Sequence, residues 1–520
     1  MPDINDLLNN AIKNHKNKNY KKAKDLYEKA IKILPSNIDL KIYYATLLHD
    51  IGLYENSIKI FTNLINQKIK LPIIFYNRAN IYMKLKSYDN ALSDIEICLS
   101  LNSRNDEALN IKGLILARLK KHEESLKCFN EAIEYNNKKP HYYLNKGNAL
   151  GRLSNFNDAI CEFNKSIKIS SDYYKAYYSR ALAKEELSLF DEAIYDYEKS
   201  YSINNKYSQA LTAKSRLLIR LGKFQDGWKL YENRWRENNF NLNNNKQNKP
   251  VWLGKENLDY KTILLHYEQG LGDTLQFCRY VKLFDTSKTN VVLIVQKQLL
   301  NIIKSLDDKV TVISDASKLP IYDYFCPLMS LPLAFNSTKE TIPANIPYIS
   351  TSEDKIKYWK NILGPHKEDK IRVGFAWSGN PNQINDHKRS ITLSEVKNDL
   401  TDDIEWINLH NSIRTNDASI ISKTKIKTIQ SKVNDFSDTA AICELVDVVL
   451  SVDTSIAHLA ASLGKTVYLM LPFYPDFRWM QDEKSSPWYP NIKIIKHKKK
   501  STWSELITIA QGHIIDNYNK

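Results

Sequence analysis

Between residues 4 and 237 small and aromatic positions recur with one fixed period. Tyr20, Tyr54, Tyr88, His122, Phe156, Phe190 and Phe224 lie 34 residues apart. Three positions after each comes a small residue: Ala23, Ser57, Ala91, Ser125, Ala159, Ala193, Gly227. Seven positions after each comes a large apolar one: Tyr27, Phe61, Ile95, Phe129, Phe163, Tyr197, Tyr231. A second small residue precedes the first by twelve: Ala11, Ala45, Ala79, Gly113, Gly147, Ala181, Ser215. Two antiparallel helices per unit need small residues where their backbones cross, and the aromatics fill the space between neighbouring units. The pattern therefore predicts seven helix pairs stacked into a superhelix with a concave, protein- or peptide-binding face. Asn77 and Asn80 recur two units later as Asn145 and Asn148. Such i, i+3 pairs share a helical face. They form either a ladder for an extended peptide backbone or the by-product of an Asn-rich chain.

Past residue 237 the helical period stops. Asn238 to Pro250 is polar and patternless, so 238–260 reads as a joint, with Val251-Trp252-Leu253-Gly254 as an apolar clip. From 261 the chain alternates β-branched runs with helical patterns, which predicts parallel sheets in two halves, 261–363 and 370–515. In the first half a strand, Thr262 to His266, runs into Gly270-Leu271-Gly272-Asp273, then a helix from Thr274 to Phe284. Gly270-x-Gly272 lets backbone approach a ligand, but Leu275 breaks a dinucleotide fingerprint. A linking helix follows from Asp354 to Leu363.

The second half opens with a strand, Arg372 to Ala376, and the small polar turn Trp377-Ser378-Gly379-Asn380. The loop Asn385 to Ser390 then concentrates cations, Lys388 and Arg389 among them. Later a buried strand (Val448 to Ser451), Asp453-Thr454-Ser455, a small-residue helix (Ile456 to Leu463) and a strand (Val467 to Leu471) form a βαβ unit. Its turn lies where such sheets bind ligands, and the helix N–H groups face the same crevice. That turn is either a phosphate seat or a structural helix cap.

A net charge of +15 suits an acidic partner, but the excess lysines are scattered along helices and no nucleic-acid motif accompanies them. Six separated cysteines without C-x-x-C or Cys/His clusters argue for reduced, buried thiols and a cytoplasmic setting. No signal-peptide core and no bilayer-length apolar run is present. Lys496-His497-Lys498-Lys499-Lys500 reads as a solvated basic run or, less simply, a contact for an anionic membrane.

The 34-residue units resemble the tetratricopeptide repeat. GLGDTLQF (270–277), the WSGNP turn (377–381) and SVDTSIAHLAASLGKTV (451–467) resemble glycosyltransferase family nine, which holds heptosyltransferases and relatives fused to such repeats. The resemblance implies an α superhelical repeat array followed by an α/β GT-B fold of two Rossmann-like domains. The first domain would face the acceptor and the second the nucleotide sugar. It also implies hexosyl or heptosyl transfer with inversion from a nucleotide-diphosphate sugar to a glycan or protein hydroxyl, without metal or other cofactor. On this reading Asp273 is the general base, although an N-cap for the following helix explains the same residue. Lys388 and Arg389 hold the diphosphate, with Gly270, Gly272, Ser378, Gly379, Asn380, Asp453, Thr454 and Ser455 beside it. His458 reaches phosphate or sugar, and His410, with Asn411, reaches ribose or base. Ser455 stands where the family frequently has glycine, narrowing the phosphate space. Pro472 to Trp479 and Ser486 to Tyr489 either wall the cleft or pack. A different reading makes the whole chain a scaffold whose transferase-like half only binds.

Overall fold

The structure is a computed structural model that describes residues 4–237, 247–367, 369–383, 386–481, 484–498 and 501–518. Most of the polar joint after 237, Asn385 of the basic loop, and Lys499 and Lys500 lie outside the described residues. The chain forms two compact units, Met1–Asn205 and Lys206–Lys520.

The first unit is six antiparallel helix pairs. They are α1 (Ile4–Lys16) with α2 (Tyr20–Ile33), α3 (Ile38–Asp50) with α4 (Tyr54–Asn66), and α5 (Pro72–Lys84) with α6 (Tyr88–Leu101). They continue as α7 (Asp106–Arg118) with α8 (His122–Tyr135), α9 (Pro140–Arg152) with α10 (Phe156–Ile169), and α11 (Tyr174–Glu185) with α12 (Phe190–Ile203). The periodic small residues are buried for a definite reason. A Cβ on Gly113 would lie 2.6 Å from the Phe129 ring, and one on Gly147 2.5 Å from Phe163. The aromatic of a unit therefore seats on the small residue of the same unit, not only between units as its spacing suggested. Serine at the other small position spends its hydroxyl on the facing helix: Ser57 donates to the Ala45 carbonyl (2.6 Å) and Ser125 to Gly113 (2.7 Å). The left-handed residue after each first helix also repeats, at Lys18, Gly52, Lys86, Lys120, Ser154 and Ser188; of these only Gly52 takes a positive φ without steric cost.

The asparagine ladder is largely committed elsewhere. Asn77 donates to Thr46 (3.2 Å) and Asn145 to Asn110 (2.8 Å), both in the preceding unit, while Asn80 bonds its own helix at Tyr76. These amides tie repeats together. Only Asn148 is exposed.

The second unit begins with a seventh helix pair, α13 (Gln209–Arg220) and α14 (Phe224–Tyr231), followed by a 3₁₀ turn, Glu232–Arg236. The periodicity groups this pair with the array, yet its apolar residues Ile219, Phe224, Trp228 and Tyr231 join the α/β core. Trp228 meets Phe277, Phe477 and Trp488 edge-on, at centroid distances of 6.0, 6.1 and 6.2 Å. Arg234 forms a two-pronged ion pair with Glu268 (2.8 and 2.9 Å), both side chains only 1% exposed.

Two all-parallel sheets follow. The first orders its strands β3-β2-β1-β4: β1 Thr262–His266, β2 Asn290–Ile294, β3 Thr311–Ile313 and β4 Tyr324–Pro327. The clip runs along β4, with Trp252 donating to Phe325 O at 2.9 Å and Phe325 to Pro250 O at 3.0 Å. The second sheet is β6-β5-β7-β8-β9: β5 Ile371–Ala376, β6 Ile404–Asn408, β7 Val448–Val452, β8 Val467–Leu471 and β9 Ile492–Lys496. The helices between strands are α15 (Leu271–Phe277), α16 (Leu300–Ile303), α17 (Leu331–Ala334), the linking helix α18 (Glu353–Leu363), α19 (Asp386–Arg389), α20 (Leu393–Val396), α21 (Thr415–Ile421), α22 (Phe436–Glu444) and α23 (Ser455–Ser462), and α24 (Trp503–Tyr518) follows the last strand. β4 and β9 escape the pattern reading, and Lys496 ends β9 where the sequence suggests a solvated run. Of the cysteines, five are buried and Cys161 is exposed; none is in a disulfide. Among the described residues no helix is long and apolar enough to cross a membrane.

Candidate functional site

The C-terminal edge of the second sheet supplies two turns. After β7, Thr454 caps α23 by accepting the Ile456 N–H (3.2 Å), and Ser455 is the first residue of the helix. After β5, Trp377-Ser378-Gly379 runs past α19. The Gly379 N–H donates to Ser390 Oγ (2.9 Å), whose hydroxyl donates to Asp386 (2.7 Å). Gly379 has a steric role: a Cβ there would sit 2.6 Å from Arg389 Nη2. Arg389 lies over that turn and donates to the Asp453 carbonyl (2.9 Å), so one guanidinium ties the two turns together. Lys388 is half-buried on α19, and Asn380 is exposed, its side chain closing a local turn with Asn382.

Two further arginines enter from distant segments. Arg414 donates to Gly379 O, Asp386 (2.8 Å) and Ser390 (3.1 Å). Arg478, on the 3₁₀ turn Phe477–Trp479 after β8, donates to Asp476 (2.5 Å) and to Asp273 of the first half. Among the described residues, the buried Nε groups of Arg414 and Arg478 have no hydrogen-bond acceptor. An unmet buried donor costs roughly 1–3 kcal/mol, so the cluster retains capacity for an anion. Neither arginine is visible as a site residue in the sequence. Arg478 sits inside an aromatic-rich loop, and Arg414 follows a strand with no motif around it.

Asp453 lies among these cations. Burial, and next Asp476, push its carboxyl up to about 6, against the pull of Arg389 and Arg478. The sign follows directly. A folded value above the ordinary 3.8 leaves the folded state at full advantage below 3.8, and that advantage is lost as pH rises through about 6. Asp453→Asn, which cannot ionise, should match wild-type stability near pH 4. It should exceed it by about 1–3 kcal/mol at pH 7.5, in urea midpoints taken at both values.

Asp273 is not the helix N-cap. α15 starts three residues earlier than its sequence pattern suggests, with Gly270 as the cap and Asp273 on its first turn, accepting the Gly270 N–H at 2.8 Å. Gly272 gives room to a neighbour of a different kind from the one its spacing suggested. A Cβ there would lie 2.9 Å from His458 Cδ2, so the glycine admits the other half's helix α23. Gly272→Ala should therefore cost about 1–3 kcal/mol by overpacking. Gly512→Ala, which meets nothing within 4 Å, is the control in chemical denaturation.

His458 is buried, its Nδ1 shares a hydrogen with Tyr489 OH (3.0 Å), and its ring stacks on Trp479 at 5.1 Å. Burial, then Arg478, Arg279 and Arg389, hold it well below the usual histidine range, so it is neutral. His410 sits behind the site. Its Nε2 accepts the Trp377 N–H (3.0 Å), and burial lowers it to about 3. The pattern thus brings Ser378, Gly379, Arg389, Asp453 and Thr454 together, with Asp273, Gly272 and His458 facing them; His410 and Asn380 stand apart. Phe477, Trp479, Trp488 and Tyr489 are core residues, so those parts of the aromatic loops pack. Arg279, which the sequence did not single out, is buried with no carboxylate beside it among the described residues. It donates to Gln276 O, Trp488 O and Tyr348 OH and lies over the Tyr489 ring (4.1 Å).

Comparison with known proteins speaks to the helices. A tetratricopeptide-repeat family model matches residues 73–105 and 106–139. The N-terminal array is built of tetratricopeptide repeats. A tetratricopeptide-repeat protein from Parabacteroides merdae is 18% identical over 45% of this chain and 94% of its own, at a TM-score of 0.40. YrrB, a repeat protein with an unusual peptide-binding site, is 19% identical over 36% and 97%, at 0.31. PilW, a type IV pilus biogenesis factor, is 22% identical over 39% and 94%, at 0.36. No curated protein matches the chain.

Proposed function

We propose that the second unit is a GT-B glycosyltransferase working from a nucleotide-diphosphate sugar, and that the repeat array recruits the acceptor or a partner protein. The supporting observation is the contact between Arg478 and Asp273, which brings a cationic cluster on one sheet against a carboxylate on the other. Asp273 takes the proton of the acceptor hydroxyl as its oxygen bonds the anomeric carbon. The bond from that carbon to the phosphate oxygen breaks, and its electron pair leaves with the nucleoside diphosphate. Attack from the face opposite the leaving group inverts the anomeric centre. Arg389, Arg414 and Lys388, with the N–H groups of α23, meet the departing charge, the kind of electrostatic help that often dominates catalysis. His458 orients the contact between α15 and α23. The proposed setting is cytoplasmic.

A scaffold reading draws on one observation: each arginine already has a carboxylate or carbonyl partner, so the cluster can stand without a ligand. Nucleotides decide between the two. Saturating UDP, GDP or ADP at about 100 times Kd should stabilise the native state by about 2.7 kcal/mol, read as a raised Tm. Absence of any shift with all three favours the scaffold. In a hydrolysis screen of nucleotide sugars, Asp273→Ala should bind nucleotide at least as tightly as wild type and lose roughly 10²–10⁴ in transfer rate. Retained turnover removes Asp273 as the base.

A further inference from the structure

We infer that Arg478 masks the base and hands itself to the donor's diphosphate, so that Asp273 is released only once donor is bound; this rests on the reading of the cluster as a diphosphate site. The two oxygens of Asp273 are not equivalent. Oδ2 is fixed by the Gly270 N–H at 2.8 Å, a bond internal to the first turn of α15. Oδ1 is the oxygen left for a substrate proton, and it is the one that Arg478 Nη2 covers. While that contact stands, the lone pair a general base needs is engaged. When it opens, the cap bond still holds the carboxylate in orientation.

Arg478 is built to be exchanged. Its fork is split, with Nη1 on Asp476 and Nη2 on Asp273, and neither carboxylate receives the parallel pair of bonds that makes arginine–oxyanion contacts strong. Its Nε–H is buried and meets no acceptor among the described residues. Its guanidinium lies over the Phe477 ring (4.6 Å), a face contact that survives a small swing of the head group. Asp453, whose carbonyl accepts from Arg389, lies within the field of both arginines, and Arg478 sits on the turn after β8, the strand beside β7. A diphosphate presents several anionic oxygens at once and can satisfy Nε and Nη2 together, which neither carboxylate does.

A double-mutant cycle on the full-length protein tests this, with inorganic pyrophosphate and with UDP, GDP and ADP titrated calorimetrically. Competition between Asp273 and diphosphate predicts opposite signs. Asp273→Asn, which keeps an oxygen for the Gly270 cap, should tighten binding about tenfold, equivalent to about 1.4 kcal/mol. Arg478→Gln should weaken it about tenfold or more. In the double variant the gain from Asp273→Asn should vanish, because the released group is gone. A purely structural ion pair gives the reverse: both single variants weaken binding or leave it unchanged, and that result overturns the inference. Tightening that persists in the double variant also overturns it. If wild type binds pyrophosphate and the nucleotides but Asp273→Asn gains nothing, the exchange alone fails. If wild type binds none of the probes, the diphosphate reading fails with it. Melting temperatures of the variants confirm that affinities are compared between folded proteins.

Discussion

Glu268→Ala should lower stability by about 3–5 kcal/mol, because it takes the two-pronged partner from a buried guanidinium and leaves it Glu232 as its carboxylate. Arg234 and Glu268 are 1% exposed on both sides, and their two-pronged bond is supplemented by Ser330 (2.6 Å), Glu232 (2.6 Å) and the Met329 N–H on Glu268 (3.2 Å). Burial raises the Glu268 carboxyl above its ordinary value, and Arg234 pulls it back only in part. Arg234→Met should cost a similar amount by leaving the carboxylate facing the Cys326 and Met329 region without its cation. The double variant Arg234→Met/Glu268→Leu separates the charge penalty from packing. It should recover most of the loss, since apolar replacement of a buried pair is often neutral or stabilising. Urea unfolding of the four proteins closes the cycle. A double variant as weak as the sum of the singles would assign the loss to packing.

Trp228→Ala carries the other large effect, about 3–5 kcal/mol for a fully buried tryptophan. Its ring lies among Phe277, Phe477, Trp488 and Tyr231, so the cavity would open where the seventh helix pair, the first sheet's α15 and the second sheet's loops converge. The equivalent position in the array, one residue after the small one, is Lys24, Ile58, Leu92, Leu126, Ile160 or Ile194, none of them aromatic. Ile160→Ala in the fifth pair, which is only half-buried, should cost clearly less. Thermal and urea unfolding followed by tryptophan fluorescence compares the two. Equal losses would mean that the seventh pair is an ordinary repeat and not part of the α/β core.

These two residues also show where local pattern stops being informative. Trp228 and Arg234 fall inside the last 34-residue unit but depart from the residue types of their equivalents, and they find partners beyond residue 260. The same holds at the site. Asp453, Thr454, Gly379 and Arg389 stand out because a strand end, a polar turn and a helix start are contiguous in sequence. Arg414 and Arg478 carry no such signature, and Arg478 meets Asp273 across a separation of 205 residues. The place of His410 after a strand suggests a ribose contact, and in the fold its Nε2 accepts the Trp377 N–H. Gly272 reads in the sequence as a ligand glycine, and the fold sets the His458 ring against it, since a missing Cβ does not reveal what occupies the space.

By itself, then, the sequence determined the helix pairs, most of the parallel strands and the two turns at the sheet edge. Each of these rests on contacts between residues close in the chain, where periodicity of 34, 3.6 or 2 reports burial directly. Only the tertiary structure decided which repeat belongs to which unit, which arginines gather at the turns and what covers Asp273 Oδ1. Those outcomes depend on side chains brought together by the stacking of separate sheets, and long-range electrostatic partners leave no period in the chain.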